Sequence, residues 1–107
     1  MTRHGFVIGV KPEKLDEYKR LHAQVWPEIL DLLKKAHVAN YTIFHKDGQL
    51  FGVFDYFGSD LDADFAAMNA APIVQQWYAQ CMPCQQPLDS RRPGEWWAEM
   101  DTVFHMD

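Results

Sequence analysis

Asn40-Tyr41-Thr42-Ile43-Phe44-His45-Lys46-Asp47-Gly48-Gln49-Leu50-Phe51-Gly52-Val53-Phe54-Asp55-Tyr56-Phe57 is the stretch that decides the fold. Two runs rich in aromatic and β-branched residues, 40–45 and 50–57, flank an Asp-Gly pair, the signal of a tight hairpin. Tyr41 and Ile43 fall on one side of the first run and Phe44 on the other; Phe51, Val53 and Phe57 oppose Leu50, Phe54 and Tyr56 in the second. Neither face alternates cleanly to polar, so the hairpin reads as part of a sheet covered on both sides.

Upstream, Phe6-Val7-Ile8-Gly9-Val10 reads as another strand, and Lys11-Pro12-Glu13-Lys14 as the turn that starts a helix, with Pro12 and Glu13 suited to a first helical turn. The helix is expected to run to about Lys35. Pro27 interrupts it, which predicts a kink or two segments meeting at Trp26-Pro27 and a cleft opening beside His22. Downstream, Asp60 is the expected N-cap of a helix over Leu61 to Ala71, and a second helix follows from Pro72 to Cys81. Gln85 to Gly94 reads as a loop and Trp96 to His105 as a last strand. Strand, helix, strand, strand, helix, strand is the order of a ferredoxin-like βαββαβ fold of the α+β class, with its helices on one face. The other apolar face then needs a cover, and a homodimer packed sheet to sheet supplies one.

A chain of 107 residues, 48% hydrophobic and 23% charged, suits a single domain spanning 1–107. The net charge of −5 carries no basic run, which argues against a nucleic-acid partner. No apolar run approaches transmembrane length, and the N-terminal segment meets charge too early for a signal peptide, so a cytoplasmic location is expected and a membrane partner is not. Cys81-Met82-Pro83-Cys84 has C-x-x-C spacing, but it falls at a helix C-terminus, where the dipole raises a thiol pKa, and no second pair completes a zinc set. Two reduced thiols are expected.

Chemistry concentrates in Glu17 to Glu28. At roughly 100° per residue, Tyr18, His22, Val25, Trp26, Ile29 and Leu33 share one stripe. An imidazole and a phenol one turn apart in an apolar stripe must either satisfy each other or face a cavity. Among the other histidines, His4, His37 and His45 read as surface residues, and His105 as a strand residue that could face a pocket. Near neutrality His22 can both take and give a proton. Tyr41, Trp77 and Tyr78 could stack on the apolar face of a sugar or a planar molecule.

These residues carry a resemblance. Tyr18, His22 and Trp26-Pro27-Glu28, then Asn40-Tyr41-Thr42-Ile43, Gln76-Trp77-Tyr78, Met82-Pro83 and Val103-Phe104 make the chain similar to the L-rhamnose mutarotases over nearly its whole length. The resemblance implies a dimeric α+β barrel that interconverts the α and β anomers of a 6-deoxy sugar, with no cofactor and no metal. It implies His22 as the general acid/base, protonating the ring oxygen while the anomeric hydroxyl loses its proton. It implies Tyr18, Tyr41, Trp77 and Tyr78 as substrate-binding residues. Tyr78 stands where the family commonly has a second tryptophan, and His105 where it has an aromatic such as tyrosine. L-fucose or another sugar is the alternative substrate; a cofactor-independent monooxygenase and a ligand-binding domain are the alternatives within the same fold.

Overall fold

The structure, a computed structural model, describes residues 1–107. Strand β1 (Thr2–Val10) is central, paired antiparallel along Thr2 to Gly9 with β3 (Gln49–Tyr56), which in turn pairs with β2 (Val38–Lys46). The β2–β3 turn is the two residues Asp47 and Gly48, both at positive φ (49° and 77°), a conformation that matches the twist of the flanking strands. The other edge of β1 holds two short strands, β4 (Gln85–Gln86) opposite Gly9 and Val10 and β5 (Ala98–Met100) opposite Gly5 to Val7. The order β2-β3-β1 followed by β4 and β5 is that of the ferredoxin-like α+β fold.

Pro27 acts as its chemistry requires. Helix α1 (Leu15–Ala23) stops, Trp26 is extended (φ −58°, ψ 133°), and α2 (Pro27–Lys35) starts on the proline. The residue before proline is pushed out of the helical region, and the carbonyl of Trp26 accepts the first bonds of α2, from the amides of Ile29 and Leu30. Glu28 lies in that first turn, exposed. Helix α3 (Leu61–Asn69) is capped by Asp60, whose carboxylate accepts from the Ala63 amide, as expected. Helix α4 (Pro72–Cys81) follows. The core lies between the helices and one sheet face, where Ile8, Leu50 and Val74 are almost completely buried.

Two sequence expectations are corrected. The last strand does not run from Trp96 to His105. Its pairing with β1 begins at Gln85, breaks for residues 87–97, and resumes only at Ala98–Met100. Residues 101–107 are exposed without regular structure, and His105 bonds to Asp107 rather than facing a pocket. His4 is not a surface residue: the alternation of β1 turns it toward the helices, half-buried and stacked on Phe54 at 5.5 Å. His37 and His45 are exposed.

A bulge in β2 escaped the sequence pattern. Ala39 pairs with Asp55 and Thr42 with Val53, so Asn40 and Tyr41 face the single residue Phe54. Asn40 sits at φ 54°, a left-handed conformation that asparagine tolerates. The extra residue sends the Asn40 amide to Asp55 on the outer face, while the Tyr41 ring lies 5.5 Å from Phe54 on the inner one.

Candidate active site

A cavity of about 750 Å³ opens between the inner face of the sheet and the helices. Its lining brings together all five residues singled out in the sequence, Tyr18, His22, Tyr41, Trp77 and Tyr78, with apolar wall from Phe6, Phe54 and Phe65. Tyr18 and His22 also border a smaller cleft of about 270 Å³ toward Phe44 and His45, but Tyr41, Trp77 and Tyr78 do not. The larger cavity is therefore the place where the predicted set converges.

Local helix geometry sets the imidazole. Tyr18 and His22 are one turn apart, and their rings stack at 4.1 Å. His22 Nδ1 lies 2.8 Å from the Tyr18 carbonyl oxygen. A carbonyl can only accept, so Nδ1 carries the proton and donates; in the neutral ring, Nε2 is left with a free lone pair. Burial lowers the His22 pKa and outweighs that backbone bond, which alone would raise it, so the ring is neutral at pH 7. Trp77 meets it edge-on at 5.4 Å, and Trp26 meets Trp77 at 5.0 Å, so the break at Pro27 places an aromatic support behind the histidine.

The phenols differ. Tyr18 is 4% exposed, and burial pushes its pKa far up. Tyr41 is 42% exposed as a residue, a surface that includes cavity wall, and burial of its hydroxyl end pushes that phenol up to about 12. Both stay protonated as hydrogen-bonding groups. Tyr78 donates to Asn69 Oδ1 at 2.7 Å, tying α4 to the end of α3. Cys81 borders the same cavity, its thiol pushed up to about 12 by burial, and both cysteines are free and buried. Nowhere do three or more His, Cys, Asp or Glu side chains gather so as to hold a metal ion.

Sequence reasoning missed Gln85, Trp96, Trp97 and Asn69. Gln85 was placed in a loop and the tryptophans in a strand, yet all three line the cavity. Gly52 explains how Trp97 gets there: a Cβ on Gly52 would meet the Trp97 ring at 3.4 Å and the Tyr41 ring at 3.6 Å. The missing side chain leaves floor space for two aromatics. The signal was present as two adjacent tryptophans after a stretch rich in Pro, Ser and Arg, where a wholly solvated loop would place none.

The fold and cavity define a small ferredoxin-like α+β protein that presents one neutral imidazole within aromatic walls, an arrangement for acid/base chemistry on a small organic molecule. The family model described as L-rhamnose mutarotase matches residues 3–106. The chain is 37% identical to the L-rhamnose mutarotase of Tolumonas auensis, covering 99% of each chain, and 34% identical to that of Oceanobacillus iheyensis, covering 100% of each. Its fold superposes on the crystal structure of L-rhamnose mutarotase FA22100 from Formosa agariphila with a TM-score of 0.78, at 25% identity over 100% of both chains. A tetracenomycin F2 cyclase from Streptomyces glaucescens shares the fold at TM-score 0.71 and 13% identity. The chain belongs to the L-rhamnose mutarotase family and is an enzyme of mutarotase type.

Proposed function

We propose that the enzyme interconverts the α and β anomers of a 6-deoxy sugar, L-rhamnose first, with His22 as its general acid/base. The observation that carries this reading is the 2.8 Å bond from His22 Nδ1 to the Tyr18 carbonyl, which leaves Nε2 free as a base on the cavity wall. That geometry refines the order of proton transfers. Neutral His22 first takes the anomeric hydroxyl proton at Nε2. As the C1–O5 bond breaks and the carbonyl forms at C1, the imidazolium returns the proton to the ring oxygen. Rotation about C1–C2 and the reverse sequence give the other anomer, with no net proton gained or lost.

Tyr18, Tyr41, Trp77 and Tyr78 are proposed to hold the sugar, the indole and phenol faces against its C–H surfaces and methyl group. Free sugars already mutarotate in water, so a general acid/base contribution of about 10²–10⁴ plus positioning is sufficient. The test is NMR saturation transfer between the α and β signals across a panel of 6-deoxy sugars. Accelerated exchange, strongest for L-rhamnose, is expected; no acceleration with any sugar overturns the reading.

Two further parts belong to the same proposal. Val7, Phe51 and Val53 are only half-covered on the outer sheet face and Phe44 is 59% exposed, which supports a twofold homodimer through that face. No helix is long and apolar enough to cross a membrane. The two free thiols, Cys81 and Cys84, fit a reducing compartment such as the cytoplasm.

A further inference from the structure

Gln85 is 5% exposed, and its side chain lines the cavity. Its amide has a partner at each end. Trp96 Nε1 donates to Gln85 Oε1 at 2.7 Å, and Gln85 Nε2 donates to the Tyr18 hydroxyl at 3.4 Å. The two contacts are linked by chemistry. An indole N–H can only donate, so it can bind only the oxygen end of the amide and fixes which way the amide faces. The NH2 end is thereby turned to Tyr18, and the phenol oxygen receives a proton donor. At 3.4 Å that contact is long, so it sets direction more than strength.

From this we infer that Gln85, locked by Trp96, is a positioning residue that makes the Tyr18 hydroxyl a hydrogen-bond donor toward the sugar oxygen. With its acceptor side engaged by Gln85, the Tyr18 proton is directed away from Gln85 and into the cavity. The Tyr18 ring stacks on His22, so the donor stands beside the base. While the anomeric proton rests on His22, negative charge develops on the ring oxygen, and an oriented phenol stabilises that charge more than it stabilises the closed sugar. The role of the 87–97 insertion follows: by breaking the edge strand between Gln86 and Ala98 it carries Trp96 back onto Gln85.

The inference rests on the mutarotase reading for its kinetic effect but not for its geometry, and the experiment separates the two. Gln85→Met keeps the length of the side chain and removes both polar ends. It is expected to lower kcat for L-rhamnose anomer exchange about tenfold, the loss of one polarising hydrogen bond, with KM changed less than about threefold. In a Tyr18→Phe background the same change should cost nothing more, because the hydroxyl it orients is gone. Trp96→Phe, which frees the amide to turn over, should lower kcat about threefold, again only when Tyr18 is present. Losses that multiply with Tyr18→Phe, or that fall on KM alone, overturn the inference. Should Gln85→Met fail to fold, the Trp96→Phe pair carries the same comparison.

Independently of any sugar, the Trp96 indole proton should exchange slowly with solvent in 15N-labelled enzyme and quickly in Gln85→Met. Rapid exchange in the unsubstituted protein overturns the positioning role even if the enzyme is active. Slow exchange in a protein that accelerates no sugar would instead remove the mutarotase reading and leave the lock standing.

Discussion

The two faces of one sheet are made by alternate residues of the same strands, and they serve different ends. On the inner face, Ile8, Val10 and Leu50 pack into the core, Phe6 and Phe54 wall the cavity, and Tyr56 packs into the core beyond them. On the outer face, Val7, Phe51 and Val53 stay half-covered around a polar clamp, in which Arg3 and Asn40 donate to the buried carboxylate of Asp55. The inner face is enclosed by helices and walls the cavity; the outer face is left half-covered, which suits the proposed dimer. The bulge at Asn40 joins them, feeding Tyr41 to one side and its own amide to the other.

The strongest test of that division is to remove the proposed base, His22. His22→Ala is expected to lower the exchange rate by about 10²–10⁴ while secondary structure and oligomeric state stay unchanged, because the ring is half-buried and its only hydrogen bond is to its own helix. Its pH profile in the unsubstituted enzyme is a companion test. Burial depresses the His22 pKa, so the rate should be level near neutrality and fall only as pH drops through a midpoint below the ordinary 6.5, where protonation of Nε2 removes the base. A rate that rises with acidification would place the essential group elsewhere.

Next in size is Trp77→Ala. Trp77 is 7% exposed and packs against both His22 and Trp26, so its loss should cost about 3–5 kcal/mol of stability in chemical unfolding, with sugar binding lost as well. A variant that keeps wild-type sugar affinity would show that the indole is core and not wall. Smaller again, and confined to the outer face, is Phe44→Glu. It should turn the proposed dimer into a monomer by light scattering at micromolar concentration, since a twofold axis brings like charges together. A dimer that survives it would move the interface off this face.

Local chemistry made much of this legible from sequence. The Asp47-Gly48 turn, the Asp60 cap and the break at Pro27 each depend on residues within a few positions of one another, and each is where the residue types put it. The helical interval likewise brought out Tyr18 and His22, and Trp77 and Tyr78 drew notice as aromatics of the last helix. Gln85, Trp96 and Trp97 were not legible, because their place depends on an edge strand that leaves β1 for residues 87–97 and returns to it. A period-2 pattern across Trp96 to Phe104 looks continuous to a reader who cannot see which residues keep their partner. The bulge escaped for the same reason: only the register against Phe54 reveals that Asn40 is supernumerary.

The smallest expected effect lies in the clamp and is read through pH. Arg3 donates to both carboxylate oxygens of Asp55, at 2.7 and 3.1 Å, and Asn40 adds a third bond at 2.9 Å. The bonds from Arg3 and then Asn40 hold the Asp55 pKa down to about 2. A carboxyl held below its unfolded value, near 3.9, contributes stability that is fully present above that pH and is lost as pH falls through the folded value. The clamp should therefore loosen between about pH 4 and pH 2. Asp55→Asn keeps the shape but sets an NH2 against one of the three donors. Its melting temperature should drop by a few degrees at pH 7 and converge with that of the parent near pH 2, while anomer exchange per folded molecule stays the same. An equal loss at both pH values would mean that Asp55 acts through packing and not charge. A loss of exchange rate would mean that the outer face reaches the cavity through the Asn40 bulge, and the separation of the two faces would then fail at the residue that connects them.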